Sequence, residues 1–277
     1  MSEQIINKHE KFDLLSFIAV ALAFVSLIMG FSNLNQVVDH LVFVLCCFII
    51  GISSLYYFTK RQLHIKNPLI HLDIFNHKSF TFHTLAIMFL QMTTLGYGLL
   101  LPTFVQIVLK QSATDAGVVL LPGAIVGAVF APIGGLILDR LGAKKPIVLG
   151  LCCSFIATFC FLFFFKNLTY QSCILFYFIY SLGIGLIVGN TMTCAMSHLP
   201  KNLQADGNAT LQTLMQLSGG IGTSITATIL AFVQQGTNLY DGTNRGALFV
   251  LIFLMFNINI VILSQYFAFK GGKKNEF

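Results

Sequence analysis

The sequence predicts an all-α polytopic membrane protein with eight transmembrane helices, and three observations carry that expectation. The first is composition: of 277 residues, 56% are hydrophobic and 9% charged, about a third of the charge usual in soluble domains. So few charges cannot cover a soluble surface, and most of this one must face an apolar medium. The second is spacing. Acidic and basic residues leave charge-free intervals at 14–38, 40–59, 79–109, 116–138, 146–165, 167–200, 207–240 and 246–269. Each can hold the roughly 20 residues that cross about 30 Å of hydrocarbon as helix. Such lengths suit helices, which pair their backbone groups internally, rather than the shorter alternating strands of a barrel. The third is charge asymmetry: all lysines and arginines except Lys110, Lys166 and Arg245 collect on one set of alternate connections. The cationic side is the one retained inside, so both termini are expected in the cytoplasm of a multi-pass cell-membrane protein.

The elements follow in order. The first helix is expected over 15–33, after a start, "MSEQIINKHEKFD", whose mixed charge is unlike a cleavable leader. The second is expected over 40–58. The longest connection on the cationic side follows, "TKRQLHIKNPLIHLDIFNHKS" at 59–79, where Pro68 and the pattern Leu69, Ile70, Leu72, Ile74 and Phe75 suggest a segment lying on the membrane surface. Six more helices are expected at 82–108, 116–138, 146–165, 171–192, 210–232 and 247–268. The organisation is therefore two plus six. Residues 1–59 hold the amino terminus and two helices, 60–79 connect, 80–269 form a six-helix bundle and 270–277 a tail. Pro102, Pro122 and Pro132 are expected to kink their helices. Gly117, Gly123, Gly127, Gly134 and Gly135 in the fourth helix, and Gly219, Gly220 and Gly222 in the seventh, are expected to permit close helix contact.

One connection concentrates charge. In "GGLILDRLGAKKP" at 134–146, Gly135 and Gly142 supply positions without a side chain where backbones approach. Asp139 can accept from free amides at the start of a neighbouring helix or pair with a base across the loop. Arg140, Lys144 and Lys145 stay in water and headgroups and hold the loop inside, and Pro146 suits the first turn of the next helix.

Gly135, Asp139-Arg140, Gly142 and Lys144-Lys145 resemble the G-x-x-x-[DE]-[RK]-x-G-x-[RK]-[RK] loop signature of the major facilitator superfamily. Longer stretches are similar to one branch, the fourteen-helix drug:proton antiporters. "KFDLLSF" at 11–17 is similar to the start of their first extra central helix, and "NPLIHLDIFNHKSFT" at 67–81 to the segment after the second. "LLPTFVQIVLKQSATDAGVVLLPGAI" at 100–125 resembles the stretch joining the next two spans, and "DGNATLQTLMQLSGGIGTSI" at 206–225 the penultimate helix. The resemblance implies the carboxy-terminal portion only: the two central helices and the last six, without the amino-terminal bundle. It further implies efflux of amphipathic, often cationic compounds in exchange for protons, together with an amino-terminal six-helix partner. A non-transporting remnant, or a membrane scaffold binding a partner through its unpaired bundle face, is the alternative.

Transport by alternating access needs a central site near mid-membrane, and proton coupling usually needs an ionisable group there. No expected helix holds Asp, Glu, Lys or Arg well inside; Asp115, Asp139 and Asp206 sit at ends. The polar residues at depth are Gln91, Thr93 and Thr94 in the third helix, Asn190 and Thr191 in the sixth, and Asn208, Gln212 and Gln216 in the seventh. The last three, four apart, share a face. Gln91, Thr94, Asn190, Asn208, Gln212 and Gln216 are candidates for a substrate path. Interhelical hydrogen bonds or an exposed helix end are the alternative for the face of three. All seven cysteines (Cys46, Cys47, Cys152, Cys153, Cys160, Cys173 and Cys194) fall in apolar runs and read as reduced hydrophobes, not disulfides or metal ligands. His40, His71, His77 and His198 read as interfacial. No catalytic set, cofactor, metal site or nucleotide loop is expected, and the formal charge of +6 lies between apolar runs, which suits anchoring and not nucleic acid.

Overall fold

A computed structural model describes residues 13–34, 40–65, 68, 70–129, 142 and 144–272. Helix α1 spans Leu14–Ser32 and α2 Leu41–His64. A 3-10 turn at Leu72–Asn76 leads into α3, Lys78–Ile107. Then come α4 at Ala113–Val118, α5 at 121–129, α6 at Lys144–Phe163, α7 at Tyr170–Ser197, α8 at Gln204–Gln234 and α9 at Leu239–Gly272. The protein is an all-α polytopic membrane protein. Among the described residues seven helices are long and apolar enough to cross a membrane, namely α1, α2, α3, α6, α7, α8 and α9, and no strand occurs.

Two expectations change. The fourth helix, expected over 116–138, is described only to residue 129, and it is broken there by a turn at 119–120 between α4 and α5. Ser112 caps α4 through reciprocal bonds with Asp115. Pro122 stands in the first turn of α5, where its missing N–H removes no helix bond. It starts a helix instead of kinking one. Pro102 lies inside α3, which continues through it; Pro132, Gly134 and Gly135 lie outside the described residues. The second change is length. Helix α2 runs on through Lys60 and Arg61, α3 starts at Lys78, α7 reaches Ser197, α8 begins at Gln204 and α9 at Leu239. Charge marks where hydrocarbon ends, but a helix keeps its backbone bonds into the headgroup layer, where long side chains reach water.

Helix α3 is the hub, packing against α4, α7, α8 and α9, while α6 packs on α7 and α9. Tyr97 of α3 sits among Phe161, Tyr177 and Tyr180, with ring centroids 5.4, 6.1 and 4.7 Å away, and donates to Thr158 Oγ1 at 3.1 Å. Two crossings depend on glycine. A Cβ on Gly222 of α8 would lie 2.5 Å from the Met92 carbonyl oxygen of α3, and one on Gly150 of α6 would lie 2.6 Å from the Gly183 carbonyl oxygen of α7. The first was expected and the second was not. Gly117 and Gly127 meet nothing within 4 Å, so close packing is not their role.

Helix α1 pairs with α2 and lies along α8, whereas α2 touches α1 and the 3-10 turn. That turn is anchored to the bundle: Ile74 is fully buried in a cluster with Phe80, Leu199 and Leu211, at the end of the molecule that carries Lys78.

Candidate functional site

The expected path residues separate into two groups. Asn208, Gln212 and Gln216 are all exposed on α8. The next four-residue steps along the same helix are covered by α1. A Cβ on Gly220 would meet Ile28 Cδ1 at 3.1 Å, Ser224 Oγ lies 2.8 Å from Ser32 Oγ, and Thr228 donates to the Phe31 carbonyl at 3.1 Å. Each such step turns about 40° around an ideal helix, so the polar stripe winds from an open face into the contact with α1. The other candidates lie inside. Gln91 is half-buried beside Gly219, whose Cβ would stand 3.3 Å from Gln91 Cγ. Thr94 Oγ1 lies 2.9 Å from both the Leu90 carbonyl and Tyr180 Oη, which bonds α3 to α7. Asn190 is buried, donates to the Leu186 carbonyl at 2.7 Å, and leaves Oδ1 without a partner. Thr93 is buried and donates to the Phe89 carbonyl.

A second polar region lies at the Lys78 end, where α3, α7 and α9 meet. His83 is 0% exposed, and its Nδ1 donates to Gln265 Oε1 at 2.9 Å. Gln265 in turn donates to Thr191 Oγ1 at 3.1 Å. His198 lies beside His83 with ring centroids 6.0 Å apart, and its Nδ1 donates to the Cys194 carbonyl at 2.7 Å. A cavity of about 940 Å³ between α6 and α9, lined by Lys144, Phe155, Tyr266 and Lys270 among others, reaches His198 and Gln265. The sequence reading missed His83 and Gln265. A neutral histidine passes unseen through a search for charge-free runs, and the four-residue spacing of Cys194 and His198 was the one available signal.

Of the loop motif, Gly135, Asp139 and Arg140 lie outside the described residues. Gly142 has φ +69° and open space around it, so its service is a left-handed backbone and not close approach. Lys144, Lys145 and Pro146 form the first turn of α6. The five described acids, Asp13, Asp73, Asp115, Asp206 and Asp241, sit at helix ends, and among the described residues no Asp, Glu, Lys or Arg is buried. Asp13 accepts from Arg61 and from Ser16, and these bonds hold its carboxyl well below the usual carboxylate range, against an opposing effect of burial.

The family model of the Major Facilitator Superfamily matches residues 14–223. The chain belongs to the major facilitator superfamily. Within this superfamily it is 30% identical over 236 residues to the lincomycin resistance protein LmrB of Listeria monocytogenes, covering 85% of this chain and 50% of that protein. It is 31% identical over 227 residues to LmrB of Bacillus subtilis, covering 80% and 47%. It is 26% identical over 257 residues to the quinolone resistance protein NorB of Staphylococcus aureus, covering 92% and 54%. The chain spans about half the length of the curated relatives it matches. These superfamily relatives are transporters and resistance proteins, not enzymes, and a catalytic reading is set aside.

Proposed function

We propose that this chain is the carboxy-terminal portion of a fourteen-helix drug:proton antiporter, comprising the two central helices (residues 1–59), a connecting segment (60–79), the last six-helix bundle (80–269) and a tail (270–277). It would act with an amino-terminal six-helix bundle to expel amphipathic compounds in exchange for protons. The observation that carries this reading is the α8 stripe. Asn208, Gln212 and Gln216 stand open in a membrane-spanning helix whose next polar steps are already covered by α1. Polar side chains facing lipid are costly, so this half-stripe suits a water-filled path completed by a second bundle. The basic residues gathered on alternate connections support cytoplasmic termini. Protons would be carried by the partner bundle, since no buried acid or base of the four charged types stands among the described residues.

The test is expression of the chain alone and beside a six-span partner in cells lacking their own exporters, following a fluorescent lipophilic cation. Gradient-dependent efflux is expected from the pair and not from the chain alone. Efflux by the chain alone would overturn the need for a partner, and no efflux from a correctly inserted pair would favour a remnant or scaffold.

A further inference from the structure

We infer that His83, Cys194 and His198 form a binding site for a borderline-soft, zinc-type divalent cation that ties α3 to α7 at the Lys78 end of the molecule. A ring nitrogen of each histidine and the sulfur of Cys194 lie within 4.8 Å of one another. Cys194 in the last turn of α7 and His198, the residue that caps its end, are four residues apart, and His83 faces them from α3. The tautomers are set for ligation. Gln265 Oε1 and the Cys194 carbonyl can only accept, so both Nδ1 atoms carry the proton and both Nε2 atoms keep a lone pair. This is the arrangement by which a protein orients metal-binding imidazoles, with the second nitrogen donating to an oxygen.

The independent sign of a ligand is His83 Nε2 itself. It is buried without any hydrogen-bond partner, on a residue with no exposed surface. Leaving such an atom unmet is unfavourable, and a cation shared with Cys194 and His198 would satisfy it. Two imidazoles and a thiolate are the donors that zinc-type ions take, with metal–nitrogen bonds of about 2.0–2.1 Å and a metal–sulfur bond of about 2.3 Å. Tetrahedral bonds of those lengths place the ligand atoms about 3.4–3.6 Å apart, so the three groups need close by only about an ångström from the spacing above. The cavity bordering His198 and Gln265 gives an access route and room for water as a fourth ligand. On binding, Cys194 gives up its thiol proton to water, so a dication meets one thiolate and two neutral rings.

The test uses the full chain purified in mild detergent and Co(II) as a spectroscopic stand-in for zinc. One Co(II) per chain is expected, with sulfur-to-cobalt charge transfer and the strong visible bands of tetrahedral coordination, all displaced by Zn(II). Cys194→Ser should abolish the charge-transfer band. A chain with the other six cysteines replaced by alanine should keep it. Gln265→Leu should weaken binding about 10–100-fold, as loss of an orienting partner does. If Cys194→Ser does not fold, protection of wild-type Cys194 from alkylation by Zn(II), located by peptide mapping, reads the same contact. Absence of the bands in folded wild-type chain, their persistence in Cys194→Ser, or unprotected alkylation would overturn the site. So would uptake of Cu(I) with no uptake of Co(II) or Zn(II).

Discussion

Arg61 grips Asp13 with two hydrogen bonds, Nε to Oδ2 at 2.9 Å and Nη2 to Oδ1 at 3.0 Å, across 48 residues of chain. The same carboxylate caps α1 through Ser16, and Gln62, beside Arg61, donates to Ser16 Oγ at 2.7 Å and accepts from the Ile70 amide at 3.1 Å. One cluster therefore joins the start of α1, the end of α2 and the connecting segment. Because folding lowers the Asp13 pKa, its stabilising effect is complete above the ordinary aspartate value of about 3.9 and is lost as pH falls through the folded value. Asp13→Asn should thus lower the melting temperature in detergent near pH 7, and the difference from wild type should shrink below about pH 4. A difference that grows on acidification would contradict the pair.

The crossing of α3 and α8 makes a sharper contrast. Gly222→Ala would place its Cβ 2.5 Å from the Met92 carbonyl oxygen and 2.6 Å from its Cα. Backbone on both sides cannot yield cheaply, and a loss of about 1–3 kcal/mol is expected. Gly127→Ala enters open space, and the added helix propensity should leave stability unchanged or raise it by up to about 1 kcal/mol. Thermal unfolding of both variants in one detergent compares them directly.

At the charged loop, Gly142→Ala forces a side chain into the left-handed region at φ +69° and should cost about 1–2 kcal/mol. The proposed acceptor role of Asp139 gives a functional counterpart. In the assembled transporter, Asp139→Asn should reduce efflux more than Lys145→Gln, because Arg140 and Lys144 remain to replace the lysine charge, while no second acid stands in the loop. Equal tolerance of the two changes would reject that role.

The membrane-spanning character of this chain was legible because hydrocarbon excludes charge, and the intervals between charges report it directly. What the intervals measure is lipid, not helix, so the ends at His64, Gln204 and Leu239 escaped them. Pro122 read as a kink because a missing amide looks the same inside a helix as at its first turn, and only the turn at 119–120 tells them apart. The Gly222 crossing was legible from three neighbouring glycines in α8. The Gly150–Gly183 crossing was not: Gly150 is the single glycine of α6, Gly183 shares α7 with Gly185 and Gly189, and which of these meets Gly150 belongs to tertiary packing. The same holds for His83, which needs Gln265 from 182 residues away to set its tautomer.

The winding of the α8 stripe leads to a test of the proposed path. Gln212 is exposed, while Ser224, three steps further, faces Ser32 of α1 at 2.8 Å. In a background cleared of the seven native cysteines, Gln212→Cys should react readily with a small, water-soluble maleimide, and Ser224→Cys should react slowly. Maleimide chemistry needs water to form the thiolate, so fast labelling at 212 distinguishes a hydrated path from a face buried in lipid, where both positions would be inert. If an amino-terminal bundle completes the path, its co-expression together with a bulky transported compound should slow labelling at 212 and leave 224 as it was. Rapid reaction at 224 in the chain alone would mean that α1 does not rest on α8, and the open and covered halves of the stripe would lose their distinction.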